Sequence, residues 1–155
     1  MGGRVHQLER GVIHAQLLAR LDETIRDDPW SAASWAAELD HAGSWAWVAT
    51  VDEAVVGVLS ARVVGDEAEV MFVGVQPEHR GRRHAAGLLA VGRAELLRRG
   101  VRTWHLEVRA GNEPAIRCYT RCGFVRVGLR RRYYPDGEDA VLMTREEPGP
   151  VSEPD

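Results

Sequence analysis

The sequence predicts one α/β (α+β) domain of about seven strands and about four helices, and three observations carry that expectation. Residues 45–75 hold three β-rich runs parted only by short turns. Residues 68–124 then alternate strand, helix, strand and short helix, each with its own period and stop signal. A chain of 155 residues suffices for one sizeable core, with no internal repeat and no dividing linker.

Taken in order, Arg4–Leu8 is expected as a first strand. Ala15–Ile25 reads as a helix, because Leu17, Leu18, Leu21 and Ile25 recur at helical spacing. Asp28-Pro29-Trp30-Ser31 breaks it, and Ser31 is suited to cap a second short helix ending near Gly43. Trp45–Val51 and Val55–Val64 are strands joined by the turn Asp52-Glu53, and Gly65-Asp66 makes the next turn. Ala68–Val75 is a strand whose second half, MFVGV, is almost wholly apolar, as a central strand would be. Arg83–Arg99 is a helix that stops at Gly100. Thr103–Arg109 is a strand. Asn112–Cys122 is a helix with Pro114 in its first turn and Gly123 after it. Phe124–Arg132 and Asp139–Thr144 close the pattern as strands around a loop at 133–138. The domain is expected over residues 1–145, followed by a disordered tail, EEPGPVSEPD, at 146–155.

Composition narrows the function classes. No uninterrupted apolar run of 18 residues occurs, so no membrane span is expected. The opening MGGRVHQLER lacks the apolar core of a secretory signal, and a cytoplasmic location is the expectation. Cys118 and Cys122 read as reduced, half-buried thiols; two ligands alone make no zinc site, and no metal is expected. The net charge of −3 hides an asymmetry: residues 80–132 carry 14 of the 20 arginines and only three acids, and the chain has no lysine. Aromatics are not interleaved with these arginines as a single-strand nucleic-acid surface requires. The local positive field suits a polyanionic cofactor such as coenzyme A better than a nucleic acid.

Three features carry chemistry. The strand ending at Val75 feeds an Arg/Gly-rich turn that opens a helix. The free N–H groups of a first helical turn favour an anion, and Arg80, Arg82 and Arg83 add charge; a basic turn on a solvated helix end is the plainer reading. In Trp104-His105-Leu106-Glu107-Val108-Arg109, alternation puts His105, Glu107 and Arg109 on one face. A carboxylate buried there without a partner has a raised pKa and suits a general base, whereas a pair with Arg109 or His105 makes it structural. Tyr119 shares a helix face with Ile116 and Gly123, as either a core residue or a buried proton donor.

The order of these parts resembles the GCN5-related N-acetyltransferase (GNAT) superfamily, and within it the RimI-type N-terminal acetyltransferases. The superfamily motif R/Q-x-x-G-x-G/A falls on Arg80-Gly81-Arg82-Arg83-His84-Ala85. More specific are DPWS at 28–31, GDEAEV at 65–70, LEVRAGNEPAIRCYTRCGF at 106–124 and RRRYYPDGEDAVLM at 130–143. The resemblance covers roughly residues 4–145. It implies a mixed, mostly antiparallel sheet split between the strands ending near Val75 and beginning near Thr103, with acetyl-CoA wedged in the split. By position it implies Glu107 as base and Tyr119 as acid. Gly81, Arg82, Arg83, His84, Ala85 and Ala86 would line the pyrophosphate beside Arg80. Val73, Gly74 and Val75 would hold the pantetheine arm, and Asn112 and Tyr119 would touch the cofactor. The acceptor it implies is a protein N-terminus, the alanine of the eighteenth small-subunit ribosomal protein, passing Trp30, Tyr133 and Tyr134. The same scaffold also serves small-molecule amines, and a non-catalytic CoA-binding module is the alternative from another class. One departure is plain: Arg83 stands where the motif has its first glycine, which bears on cofactor affinity.

Overall fold

The computed structural model describes residues 3–7 and 12–149. The elements are β1 (Arg4–Gln7), α1 (Val12–Glu23), α2 (Ala32–Asp40), β2 (Ser44–Val51), β3 (Ala54–Val64), β4 (Glu67–Val75), a 3₁₀ turn (Pro77–His79), α3 (His84–Arg98), β5 (Thr103–Arg109), α4 (Glu113–Arg121), β6 (Val125–Arg130) and β7 (Ala140–Glu146). The seven strands form one sheet in the order β1-β2-β3-β4-β5-β7-β6. Every pairing is antiparallel except β4 with β5. The expected mixed, mostly antiparallel sheet with its flanking helices is therefore the architecture observed.

Local signals explain most boundaries. The Ser31 hydroxyl accepts from the Ser34 N–H at 3.1 Å and caps α2. The Asn112 side chain accepts from the Ala115 N–H at 3.3 Å and caps α4, with Pro114 in the first turn. Leu8 of the expected first strand lies outside the described residues. At the other end β7 runs to Glu146, and the Glu147 N–H donates to the Arg102 carbonyl at 2.8 Å. The Glu147 carboxylate accepts from Arg93 and lies 3.6 Å from Arg145. Glu146 thus belongs to β7 and Glu147 joins an ion-pair cluster; residues 150–155 lie outside the described residues.

The sheet separates two apolar clusters. On one face α3 packs Leu88, Leu89 and Leu96 against Trp47, Leu59, Trp104 and Leu106. On the other, α1 and α2 pack Leu18, Leu21, Trp35 and Leu39 against Ala46, Val48 and Val58. The buried residues of α1 include Ala15, Leu18, Ala19, Leu21 and Asp22, whereas Leu17, expected inside, is 38% exposed. A polar residue therefore occupies a core position of that helix.

One irregularity shapes the molecule. Ser60 pairs with Phe72 and Ala61 with Val70, leaving Met71 as an extra residue in β4. Ala68 and Val70 pack into the α3-side cluster, but Phe72, two residues on, packs into the opposite one. A bulge has that effect: it breaks the period of two and bends the strand. The parallel pairing of β4 with β5 spans only Glu67–Glu69 against Thr103–His105 and stops just before the bulge. Beyond it, among the described residues, β5 pairs only with β7. The sheet is split from that point onward.

Candidate functional site

The split exposes one edge of β4. Residues 70–74 are apolar yet only partly buried, although they belong to the fourth of seven strands. Their edge toward β5 has no strand partner among the described residues, so its backbone groups are free to pair with an extended ligand.

The Arg/Gly-rich turn closes the far end of β4. The Arg80 Nε donates to the Val75 carbonyl at 3.1 Å, so this arginine fastens the turn to the strand. Gly81 adopts φ 79°, and Arg83 follows at φ 63°, ψ 23° as the residue preceding α3. Among the described residues no side chain caps α3, which leaves the first-turn N–H groups around His84, Ala85 and Ala86 for an external partner. Arg82 and Arg83 are exposed beside them. Arg83 thus stands, with its Cβ, in the left-handed conformation that the motif glycine suits. Arg83→Gly is expected to hold or raise stability by up to ~1 kcal/mol, while Arg83→Val should lower it by more than ~1 kcal/mol. Urea unfolding midpoints of the two variants check this.

Glu107 and Tyr119 lie on opposite faces of the sheet. Alternation in β5 buries Trp104, Leu106 and Val108 on the α3 side, so Glu107 faces the other way. Its carboxylate is 27% exposed and lies 3.7 Å from the Arg130 Nε. The same carboxylate holds the Tyr133 proton above its usual range. Neither structural pairing expected for Glu107 forms: Arg109 turns to Asp136 at 2.8 Å and Glu138 at 3.0 Å. His105 instead meets Glu67 at 3.1 Å and Thr144 at 3.0 Å. Tyr119 packs from α4 into the α3-side cluster with its ring 6.1 Å from Phe124. Burial, then the sulfurs of Cys118 and Cys122, push the Tyr119 phenol well above its ordinary value, so it keeps its proton. The Asn112 side-chain oxygen is engaged in capping α4.

Two loops flank the split on the Glu107 side. Beside β4, Asp22 is completely buried and gathers the α1–α2 loop. Its carboxylate accepts from Arg26 Nε at 2.6 Å, the Trp30 N–H at 2.9 Å and Trp35 Nε1 at 3.1 Å. Arg26 is thereby laid over Phe72 at 3.8 Å and Trp30 at 5.1 Å from the ring centres. Beside β5, Tyr133 and Tyr134 meet edge to face at 5.2 Å, and Arg109 lies 4.1 Å over Tyr134. Burial, with Glu107 next, raises the Tyr134 phenol. Trp30 and the tyrosine pair thus stand on opposite lips of the split. Sequence reading missed Asp22, Arg26, Phe72 and the Met71 bulge; a carboxylate within the apolar stripe of α1 was the one available signal.

The arrangement is an open edge of β4 leading to an uncapped helix end. The sequence profile of the acetyltransferase (GNAT) family matches residues 14–124. The chain belongs to the GNAT family. The expected acyltransferase is borne out at that level. A Mycobacterium tuberculosis protein named N-alpha-acetyltransferase RimI is 38% identical over 146 residues, covering 88% of this chain and 89% of that protein. The Escherichia coli K12 protein named [ribosomal protein bS18]-alanine N-acetyltransferase is 44% identical over 85 residues, 53% of this chain and 57% of that one. An uncharacterized Mycobacterium leprae protein is 40% identical over 126 residues, but the match spans only 34% of its length. Among solved structures, the E. coli ribosomal-protein-S18-alanine N-acetyltransferase superposes with a TM-score of 0.88 at 28% identity, covering 98% of this GNAT chain and 99% of the other. The RimI-type resemblance read from the motifs is therefore found across the chain.

Proposed function

We propose that this GNAT enzyme transfers an acetyl group from acetyl-CoA to the α-amine of a protein N-terminus, with an N-terminal alanine of a small-subunit ribosomal protein as its natural acceptor. The observation that carries the reading is the split itself. One end is closed by an uncapped helix, while Glu107 and Tyr119 lie on opposite faces of the sheet. The acceptor comes from what the relatives' names say they acetylate, joined to the aromatic lips on the Glu107 side.

The residues present fit a CoA group. The first-turn N–H groups of α3 with Arg82 and Arg83 suit a pyrophosphate. The free edge around Val73, Gly74 and Val75 suits the amide-bearing arm. Gly81 and Ala86 add no bulk to the cradle, and Arg80 holds its shape. Acetyl-CoA bound there supplies the acetyl thioester. Glu107 accepts the proton that the acceptor amine sheds, directly or through water, and Arg130 and Tyr133 orient its carboxylate. A backbone N–H of β4 near Val75 stabilises developing negative charge. Tyr119 donates its retained proton to the departing thiolate. Because its phenol sits above the ordinary value of about 10, the rate should show no loss from Tyr119 ionisation up to about pH 10. Trp30, Tyr133 and Tyr134 wall the acceptor's path, which favours a small first side chain.

Among the described residues no helix is long and apolar enough to cross a membrane. Several arginines of the basic segment are engaged internally, Arg93 with Glu147 and Arg109 with Asp136 and Glu138, which disfavours a nucleic-acid surface. A ribosomal acceptor would be met in the cytoplasm, and the reading places the enzyme there.

An α-amine has a pKa near 7.7–8.0 and a lysine ε-amine near 10.4, so at pH 7 far more of the former is neutral. An Ala-starting peptide should exceed internal lysines by at least about tenfold in kcat/KM, or ~1.4 kcal/mol. Acetyl-CoA should raise the Tm. Tyr134→Ala should raise the peptide KM and leave acetyl-CoA binding intact. Equal or better turnover of a free amine such as an aminoglycoside overturns the peptide acceptor, and no thermal shift at millimolar acetyl-CoA overturns the cofactor.

A further inference from the structure

The mechanism gives Phe72 no role, yet it belongs to the open stretch of β4. It follows the Met71 bulge and packs toward the α1–α2 side, the face on which β5 presents Glu107. Its ring leans along the strand over residue 74. A Cβ at position 74 would lie 2.6 Å from the Phe72 Cζ and 3.0 Å from the Ile25 Cγ2. Carbon atoms do not approach so closely, so the ring fills the space that any side chain at Gly74 would need. Two further groups fix the ring there. The Arg26 guanidinium lies 3.8 Å from the ring centre and is itself held by the Asp22 carboxylate. The Trp35 ring, completely buried, meets Phe72 edge to face at 6.0 Å. Phe72 nevertheless stays only partly buried.

We propose that Phe72, seated over Gly74, sets the size limit for the acceptor's first side chain. The enzyme then takes N-termini that begin with alanine or a residue of similar bulk and rejects large apolar ones. The inference rests on the reading of the split as the place where a protein α-amine meets acetyl-CoA. In that reading the thioester lies along the β4 edge beside Val73, Gly74 and Val75, and Glu107 takes the amine's proton from β5. The first Cα is then held between the two strands, with its side chain against the Phe72 ring. Trp30, Tyr133 and Tyr134 line the approach, whereas Phe72 belongs to the strand that carries the thioester.

The limit follows from how firmly the ring is held. An alanine methyl needs no movement of the wall. A leucine adds carbon atoms that a loosely held side chain could make room for by turning aside. Phe72 cannot turn aside without clashing with the backbone at Gly74, leaving Arg26 or disturbing the buried Trp35. Removing the ring leaves a hollow bordered by Ile25, Arg26 and Trp35, which a large apolar side chain can fill with a gain in burial.

The test measures kcat/KM of the full chain on two peptides that differ only in a first residue of Ala or Leu. The parent enzyme should prefer the Ala peptide by about tenfold or more. In Phe72→Ala that ratio should fall by about tenfold or more, with the rise in Tm caused by acetyl-CoA retained. Phe72→Leu should move the ratio the same way by less, and it carries the test if Phe72→Ala does not fold. Tyr134→Ala should raise both KM values alike and leave the ratio in place. A parent that turns over both peptides equally, or an active Phe72 variant with the parent's ratio, overturns the role of Phe72 while the acceptor reading stands. A parent that binds acetyl-CoA yet acetylates neither α-amine overturns the acceptor reading and the size limit with it.

Discussion

Glu107→Gln is expected to lower kcat by roughly 10²–10⁴, or about 2.7–5.5 kcal/mol of transition-state stabilisation. The amide keeps the shape of the carboxylate but cannot accept the amine's proton. Folding should survive the change, because β5 buries Leu106 and Val108 on its other face. The ion pair that is lost involves an Arg130 side chain that is 57% exposed, and exposed pairs contribute little. Acetyl-CoA should still bind, since no cradle group is touched. Tyr119→Phe should likewise slow the reaction without a comparable loss of cofactor affinity. Full activity of Glu107→Gln from pH 6 to 9 would show that another group takes the proton.

The largest expected loss of stability lies at Asp22. Its carboxylate is completely buried and satisfies Arg26, the Trp30 N–H and the Trp35 indole together. Asp22→Ala leaves all three donors without their acceptor inside the α1–α2 loop. Breaking a buried pair of this kind costs about 3–5 kcal/mol. In a domain of this size the Tm should fall by roughly 10 °C. Asp22→Asn keeps the volume and one acceptor, so its cost should be smaller. Because Asp22 also positions Arg26 over Phe72 and Trp30, a folded Asp22→Asn enzyme should show a raised peptide KM with acetyl-CoA affinity unchanged. A midpoint of Asp22→Ala within 1 kcal/mol of the parent would mean the loop is held by packing alone.

These two residues show what a sequence discloses. The face of Glu107 followed from alternation, and the limits of α4 followed from Asn112, Pro114 and Gly123, because caps and periods are local. Asp22 shows in the sequence only as an acid within the apolar stripe of α1; its three donors come from Arg26, Trp30 and Trp35, and only the fold brings them together. The Met71 bulge had no signature either. Whether β4 keeps step is decided by its pairing with β3, not by the MFVGV run itself. Arg83 was visible as a departure from the motif, but its left-handed backbone was not, since arginine rarely adopts it. The partners of Glu107 were misread for the same reason: Arg109 and His105 were neighbours in sequence, while Arg130 and Tyr133 arrive across the sheet.

The most direct test of the central claim is to incubate the purified chain with acetyl-CoA and a peptide that begins with alanine and contains an internal lysine, then map the product by fragmentation mass spectrometry. The account predicts one acetyl group on the α-amine, with the lysine unmodified. No acetylated peptide, or acetyl confined to the lysine, would contradict it.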